Sequence, residues 1–271
     1  MKKIVAKNVN RKMFMNLVKQ MLIVDSYVTF KIDNECTDGI SYLPMHDVIK
    51  NVTIKNSELF GEIEEIEKPI RISFTDGTKL LNMYKLYNDK DDIDLVIYCD
   101  DDEDSEEMYA LKLETITSYL KRQEQCADRK FSEANITPLA QNLVDDLFST
   151  ENSDFEFNIN VDKMSQIKSL TSNDKFIKKF IYIVKDGNIS ITERPDISNK
   201  DIYGYECDVD TVDGVDDCEL ICNKNIFNVT SLAEFKVSVD RSNSKLVYEH
   251  DDSDGRVRVV AVIVNPVNDE E

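Results

Sequence analysis

The sequence predicts an α+β chain made of two similar halves, and three observations carry that prediction. An amphipathic helix followed by two β-branched runs stands near the N-terminus, and the same order returns past the middle of the chain. Each pair of runs contains an Asp-Gly, Asp38-Gly39 and Asp186-Gly187; the two glycines lie 148 residues apart, too far for a solenoid period and about right for a duplicated domain. After each pair, further short strands surround one more helix, the pattern of antiparallel sheet with helices gathered to one side.

Taken in order, Asn10 is placed to cap a helix whose apolar residues Phe14, Leu17, Val18, Met21 and Leu22 fall on one stripe. Strands are expected at Tyr27–Ile32 and Ile40–Leu43, with a turn ending in Asp38-Gly39 between them. Ile70–Phe74 reads as a strand, Thr78–Tyr87 as a helix, and Ile93–Tyr98 and Tyr109–Leu113 as strands joined by the acidic run Asp100–Glu107. The polar stretch 123–153 reads as an irregular connector with one amphipathic helix at Leu139–Phe148, so the domains are expected at 1–122 and 154–271. In the second half, Asp162 is expected to cap a helix through Leu170, with Met164, Ile167 and Leu170 on one side. Strands follow at Phe180–Val184 and Asn188–Thr192 around Asp186-Gly187, then Glu219–Cys222, a short helix from about Asn223, and strands Phe235–Val239, Lys245–Glu249 and Arg256–Val264.

Composition excludes several functions. The 33 Lys and Arg residues stand against 53 Asp and Glu, a net charge of −20, which rules out a basic protein that wraps nucleic acid by bulk attraction. No apolar run reaches membrane-spanning length, and Met1–Val9 lacks a signal-peptide core, so a soluble intracellular protein away from membranes is expected. Six scattered cysteines fit reduced thiols. Phosphate-cradling glycine loops and the Gly-x-Ser-x-Gly elbow are missing, and the two histidines, His46 and His250, do not complete a zinc set with Cys218 and Cys222. Asp208–Glu219 imitates a calcium loop but has Val212 at its fifth position and Gly214 at its seventh, so it reads as an acidic solvated loop. No catalytic set, metal or cofactor is expected, and the chain does not read as an enzyme.

The helix faces point elsewhere. Lys12 and Lys19, seven residues apart, project from one side of the first helix with Asn16 between them. Lys79, Asn82 and Lys85 form the polar side of the second, opposite Leu80, Leu81, Tyr84 and Tyr87. Neither face holds an acid, which is unexpected in so acidic a chain. Later lysines are less regular: Lys168 lies on a helix flank, Lys163 near the apolar side and Lys224 among asparagines. Such a surface can touch a phosphate backbone weakly without reading sequence.

In plan and in several short strings the chain resembles the sliding-clamp family, both the proliferating-cell-nuclear-antigen type and, closest in pattern, the trimeric polymerase clamps of T-even-like phages. The strings are Asp38–Val48, Lys185–Ile191, Asp213-Gly214 ahead of Cys218–Asn228, and the C-terminal Val264-Asn265-Pro266 followed by an acidic tail. The resemblance implies a DNA-clamp fold with helices lining a ring, built from homotrimers, that encircles double-stranded DNA, tethers a DNA polymerase and is opened by an ATP-dependent clamp loader. It implies an intracellular place at replication forks, in the host cytoplasm for a phage protein. It further implies DNA-facing Arg11, Lys12, Lys19, Lys79, Lys85, Lys163, Lys168 and Lys224, and a partner-peptide pocket of Met45, Val48, Leu139, Val264 and Pro266. Two other readings stay open: an acidic DNA mimic or other interaction protein, which would need ordered rows of carboxylates, and a duplicated virion or scaffold protein. Neither gives the basic helix faces a role.

Overall fold

A computed structural model describes residues 1–43, 48–100, 102–136, 146–173, 177–195, 205–253 and 255–264. The chain divides into two compact units. The first holds Met1–Tyr42, Lys50–Asn142 and Asp251–Val257; the second holds Leu43–Ile49, Leu143–His250 and Arg258–Glu271.

In the first unit, Asn10 caps α1 (Arg11–Leu22), its side-chain oxygen accepting the Met13 amide at 3.2 Å. The buried stripe is wider than the sequence pattern, adding Met13 and Met15 to Phe14, Leu17, Val18 and Met21. Strands β1 (Lys2–Lys7), β2 (Val28–Ile32), β3 (Cys36–Tyr42), β4 (Val48–Lys55) and β5 (Glu62–Ile63) are followed by β6 (Ile70–Phe74), β7 (Asp94–Asp100), β8 (Met108–Ile116) and β9 (Lys121–Gln125). A four-residue helix α2 (Asn56–Leu59) follows β4, and α3 (Gly77–Tyr84) follows β6. The ladders run β5–β1–β7–β8; β8 then meets β6 at its start, in parallel, and β9 along its second half, while β6 continues to β2 and β3.

The expected turn at Asp38-Gly39 is not a turn. Both residues lie inside β3, with Gly39 opposite Phe30 and Asp38 opposite Lys31. The chain reverses at Asp33, whose carboxylate accepts the amides of Glu35 at 2.7 Å and Cys36 at 2.8 Å. Gly39 serves packing instead: a Cβ there would stand 2.8 Å from the Met21 sulfur and 3.1 Å from Leu17, so its bareness lets α1 settle on the sheet. Asp186-Gly187, by contrast, is the tip of a hairpin. Both have positive φ (49° and 76°), and Lys185 pairs with Asn188 across them.

The second unit repeats the order. After β10 (Phe155–Ile159) comes α5 (Val161–Asn173), then β11 (Ile177–Lys185), β12 (Asn188–Pro195), β13 (Glu206–Thr211) and β14 (Cys218–Asn223). A short α6 (Asn225–Val229) leads to β15 (Phe235–Asp240), β16 (Lys245–Asp252) and β17 (Gly255–Val264). The ladders are β13–β12–β11–β14–β17 and β10–β15–β16. The cap of α5 is Asn160 rather than Asp162, since its side chain accepts the Lys163 amide at 2.9 Å. Strand β13 occupies the first part of the stretch expected to be an acidic loop.

The stretch after residue 120 is more regular than its composition suggests. β9 pairs with β8, and Arg129–Ile136 forms helix α4. Residues 137–145 of the expected Leu139–Phe148 helix lie outside the described residues, while 146–148 are helical. Buried Lys245 donates to the carbonyls of Asp146 at 2.7 Å and Ser149 at 2.8 Å, satisfying that helical end.

Glu114 ties β9 to the sheet. Almost fully buried on β8, it receives the Lys121 ammonium at 2.9 Å and the Tyr98 hydroxyl at 3.0 Å, together with the Gln123 amide. Burial alone would raise its pKa; the three donors outweigh that and hold it at about 2, against 4.5 for an ordinary glutamate. The folded pKa is depressed, so this carboxylate stabilises the fold fully above pH 4.5 and loses that contribution as the pH falls towards 2. Glu114→Gln is expected to lower Tm at pH 7 and to flatten its fall between pH 5 and 2.5. Parallel acid profiles for variant and parent would refute this role.

Candidate nucleic-acid interface

Two helix contacts set the geometry of the cationic surface. Arg11, at the start of α1, donates its Nε to the Tyr84 carbonyl at the end of α3 at 2.8 Å. At the other end, a Cβ on Gly77, the first residue of α3, would stand 3.1 Å from the Leu22 side chain that ends α1. The two helices are therefore antiparallel neighbours. Phe14 stacks on Tyr84 with ring centroids 4.4 Å apart and meets Phe30 at 5.9 Å, which locks both helices to the sheet.

This pairing levels the lysines. Lys12 and Lys85 lie towards one end of the helix pair, and Lys19 and Lys79 towards the other. All four are exposed, and none is ion-paired among the described residues; Lys85 donates to Asn82 at 3.1 Å. Asp76 caps α3 through the Thr78 amide at 3.0 Å, so its carboxylate is turned to the backbone at the helix start. Neither α1 nor α3 contains an acidic residue. Arg11 differs from the four lysines: Asp89 pairs with its guanidinium, making it a brace between the helices.

In the second unit, Phe227 of α6 takes the place that Tyr84 has in the first, packing edge-on to Phe180 at 5.0 Å and to Tyr248 at 6.4 Å. Lys168 is drawn into this core. Its ammonium donates to the carbonyls of Phe227 at 2.5 Å and Thr230 at 2.7 Å, satisfying the end of α6, and burial lowers its pKa. The expectation that it faces a ligand is corrected by this bonding: a flank position becomes interior once α6 packs beside α5. Lys163 and Lys224 are half-buried. Lys168→Met keeps the stem but strands two carbonyls, and a loss of about 1–3 kcal/mol is expected in denaturant unfolding. An unchanged midpoint would show that water replaces the ammonium.

Of the expected peptide pocket, Met45, Leu139 and Pro266 lie outside the described residues. Val48 is fully buried, a core residue rather than a pocket wall, and Val264 ends β17 opposite Ile221. Sequence reasoning missed a cavity of about 480 Å³ between the start of α3, β9 and α4, lined by Phe74, Asp76, Lys79, Gln125, Cys126 and Phe131. Lys121–Gln125 contains no apolar residue, so hydrophobic periodicity had nothing to register there.

No protein-family model matches the sequence, and no curated protein does. Solved structures do match. Proliferating Cellular Nuclear Antigen from Entamoeba histolytica aligns with a TM-score of 0.66 at 12% identity, over 97% of this chain and 99% of that one. The H. pylori beta clamp, in complex with 5-chloroisatin, aligns with a TM-score of 0.69 at 10% identity, over 97% of this chain and 66% of that one.

The chain has the DNA-clamp fold. At such identities the likeness is one of fold, reached here by different side chains. α1 packs on α3 and α5 on α6, one helix pair in each unit.

Proposed function

We propose that this protein is a sliding clamp: a closed homotrimeric ring that encircles duplex DNA and tethers a replicative polymerase without itself being an enzyme. The observation that carries the reading is the acid-free, lysine-bearing α1–α3 surface on a clamp-fold chain whose net charge is −20. Encirclement is topological, so weak, sequence-independent attraction to phosphate suffices and lets the ring slide, while the acidic remainder repels DNA from the other faces. Opening by an ATP-dependent loader and kinship to the trimeric clamps of T-even-like phages belong to the same proposal.

Ring closure has a physical route. β9 is registered on β8 and carries Lys121 and Arg122; β13 is registered on β12 and carries Glu206, Asp208 and Asp210. Lys121 and Arg122 are already paired with Glu114 and Glu124, so it is backbone pairing that would join the copies: adding β13 of one copy to β9 of the next would continue a sheet. Light scattering after size exclusion tests this: three chains of 31.2 kDa are expected to give about 94 kDa, dissociating on dilution. A strict monomer at high concentration would overturn the ring and favour the acidic DNA-mimic reading.

A further inference from the structure

We infer that the phosphate contacts of this chain come from its N-terminal unit alone, through Lys12, Lys19, Lys79 and Lys85, and that the helices of the C-terminal unit face nucleic acid with neutral polar groups. The inference rests on the DNA-encircling reading and narrows it. If the two halves were functionally equal, α5 and α6 would supply cations as α1 and α3 do. They do not.

On α5 the exposed residues between 165 and 170 are Ser165, Gln166 and Ser169, hydroxyls and an amide; the side chains of 171–173 lie outside the described residues. On α6 they are Asn228, with Asn225 half-exposed. Lys168 is spent on the carbonyls of Phe227 and Thr230, so it holds the unit together. Lys163 is half-buried, where the four lysines of the first unit are exposed. Lys224 is half-buried and precedes a helix of five residues.

The first unit is built the other way. Its four exposed lysines have no carboxylate within ion-pair distance among the described residues, and the acid closest in role, Asp89, is taken by Arg11. Seven residues separate Lys12 from Lys19, a rise of about 10.5 Å along α1, so the charges are spread rather than stacked and can meet different phosphates. Hydroxyls and amides on the second unit can bond phosphate or water without releasing counterions, and they leave that half as a low-friction surface.

Counterion release separates the two halves experimentally. Binding of a fluorescent 30-base-pair duplex would be followed by anisotropy between 50 and 200 mM salt for the full chain and two variants. The variants, Lys12→Gln with Lys79→Gln and Lys163→Gln with Lys224→Gln, would first be matched to the parent in Tm and solution mass. The first pair is expected to shallow the log–log salt slope by about 1.8 or more, from two contacts at ~0.9 each. The second is expected to leave the slope unchanged. A second pair that shallows the slope as much as the first, or a first pair without effect, overturns the inference while leaving DNA binding in place. A parent protein with no salt-dependent duplex binding removes the DNA reading itself, and the inference with it.

Discussion

Gly77→Ala is expected to destabilise the N-terminal unit by about 2–3 kcal/mol, or roughly 5–10 °C in Tm. Gly77 opens α3 directly beneath α1, and its amide donates to the Ser26 carbonyl at 2.8 Å, so the backbone is pinned there. An added Cβ would lie 2.2 Å from Val28 Cγ2 and 3.1 Å from Leu22 Cδ2, both in the packed layer between helix and sheet. One methyl therefore has no room unless α3 lifts. Val28→Ala removes the methyl it would strike, so Gly77→Ala is expected to cost less than half as much in that background. Calorimetry of the four proteins closes the cycle. Equal Tm for Gly77→Ala and its parent would show that the helix interface yields freely.

The second large effect is functional. Lys12→Glu with Lys79→Glu removes two cations and adds two anions on the exposed side of the α1–α3 pair, touching no core contact. Folding and solution mass are expected to stay as in the parent. Duplex affinity at about 0.15 M salt is expected to fall about 30-fold from the two lost contacts, and further from the new repulsion. In a primer-extension assay with loader and polymerase, products should shorten accordingly. Products of parental length would remove these lysines from the DNA path.

Much of this architecture could be read from the residues. α1, with its Asn10 cap and 3.6-residue stripe, and the strands at 70–74 and 235–239 follow from local rules that tertiary packing reinforces. The Asp186-Gly187 hairpin was legible because its two positive φ angles demand those residue types. Asp38-Gly39 carried the same dipeptide and meant something else: alternating burial along Cys36–Tyr42 kept the strand going, and the glycine answered to Met21, 18 positions earlier in the chain. β1 and β10 were missed, short runs whose partners β7 and β15 lie about 75–100 residues on. β9 was missed too, an alternating polar strand secured by a buried carboxylate.

By itself, then, the sequence determined the class, the duplicated plan, the acidic body and the four lysines on acid-free helix faces, because each is written in composition, in spacings of fewer than ten residues, or in the return of one local order later in the chain. Only the tertiary structure decided which cations are available. Lys12 and Lys168 are alike as sequence, each a lysine on an amphipathic helix. One points to solvent, while the other closes the end of α6 through carbonyls about 60 residues away. The reason is physical: a helix end leaves unsatisfied carbonyls, and which ammonium satisfies them depends on the helix that packs alongside, a long-range choice that no local pattern encodes.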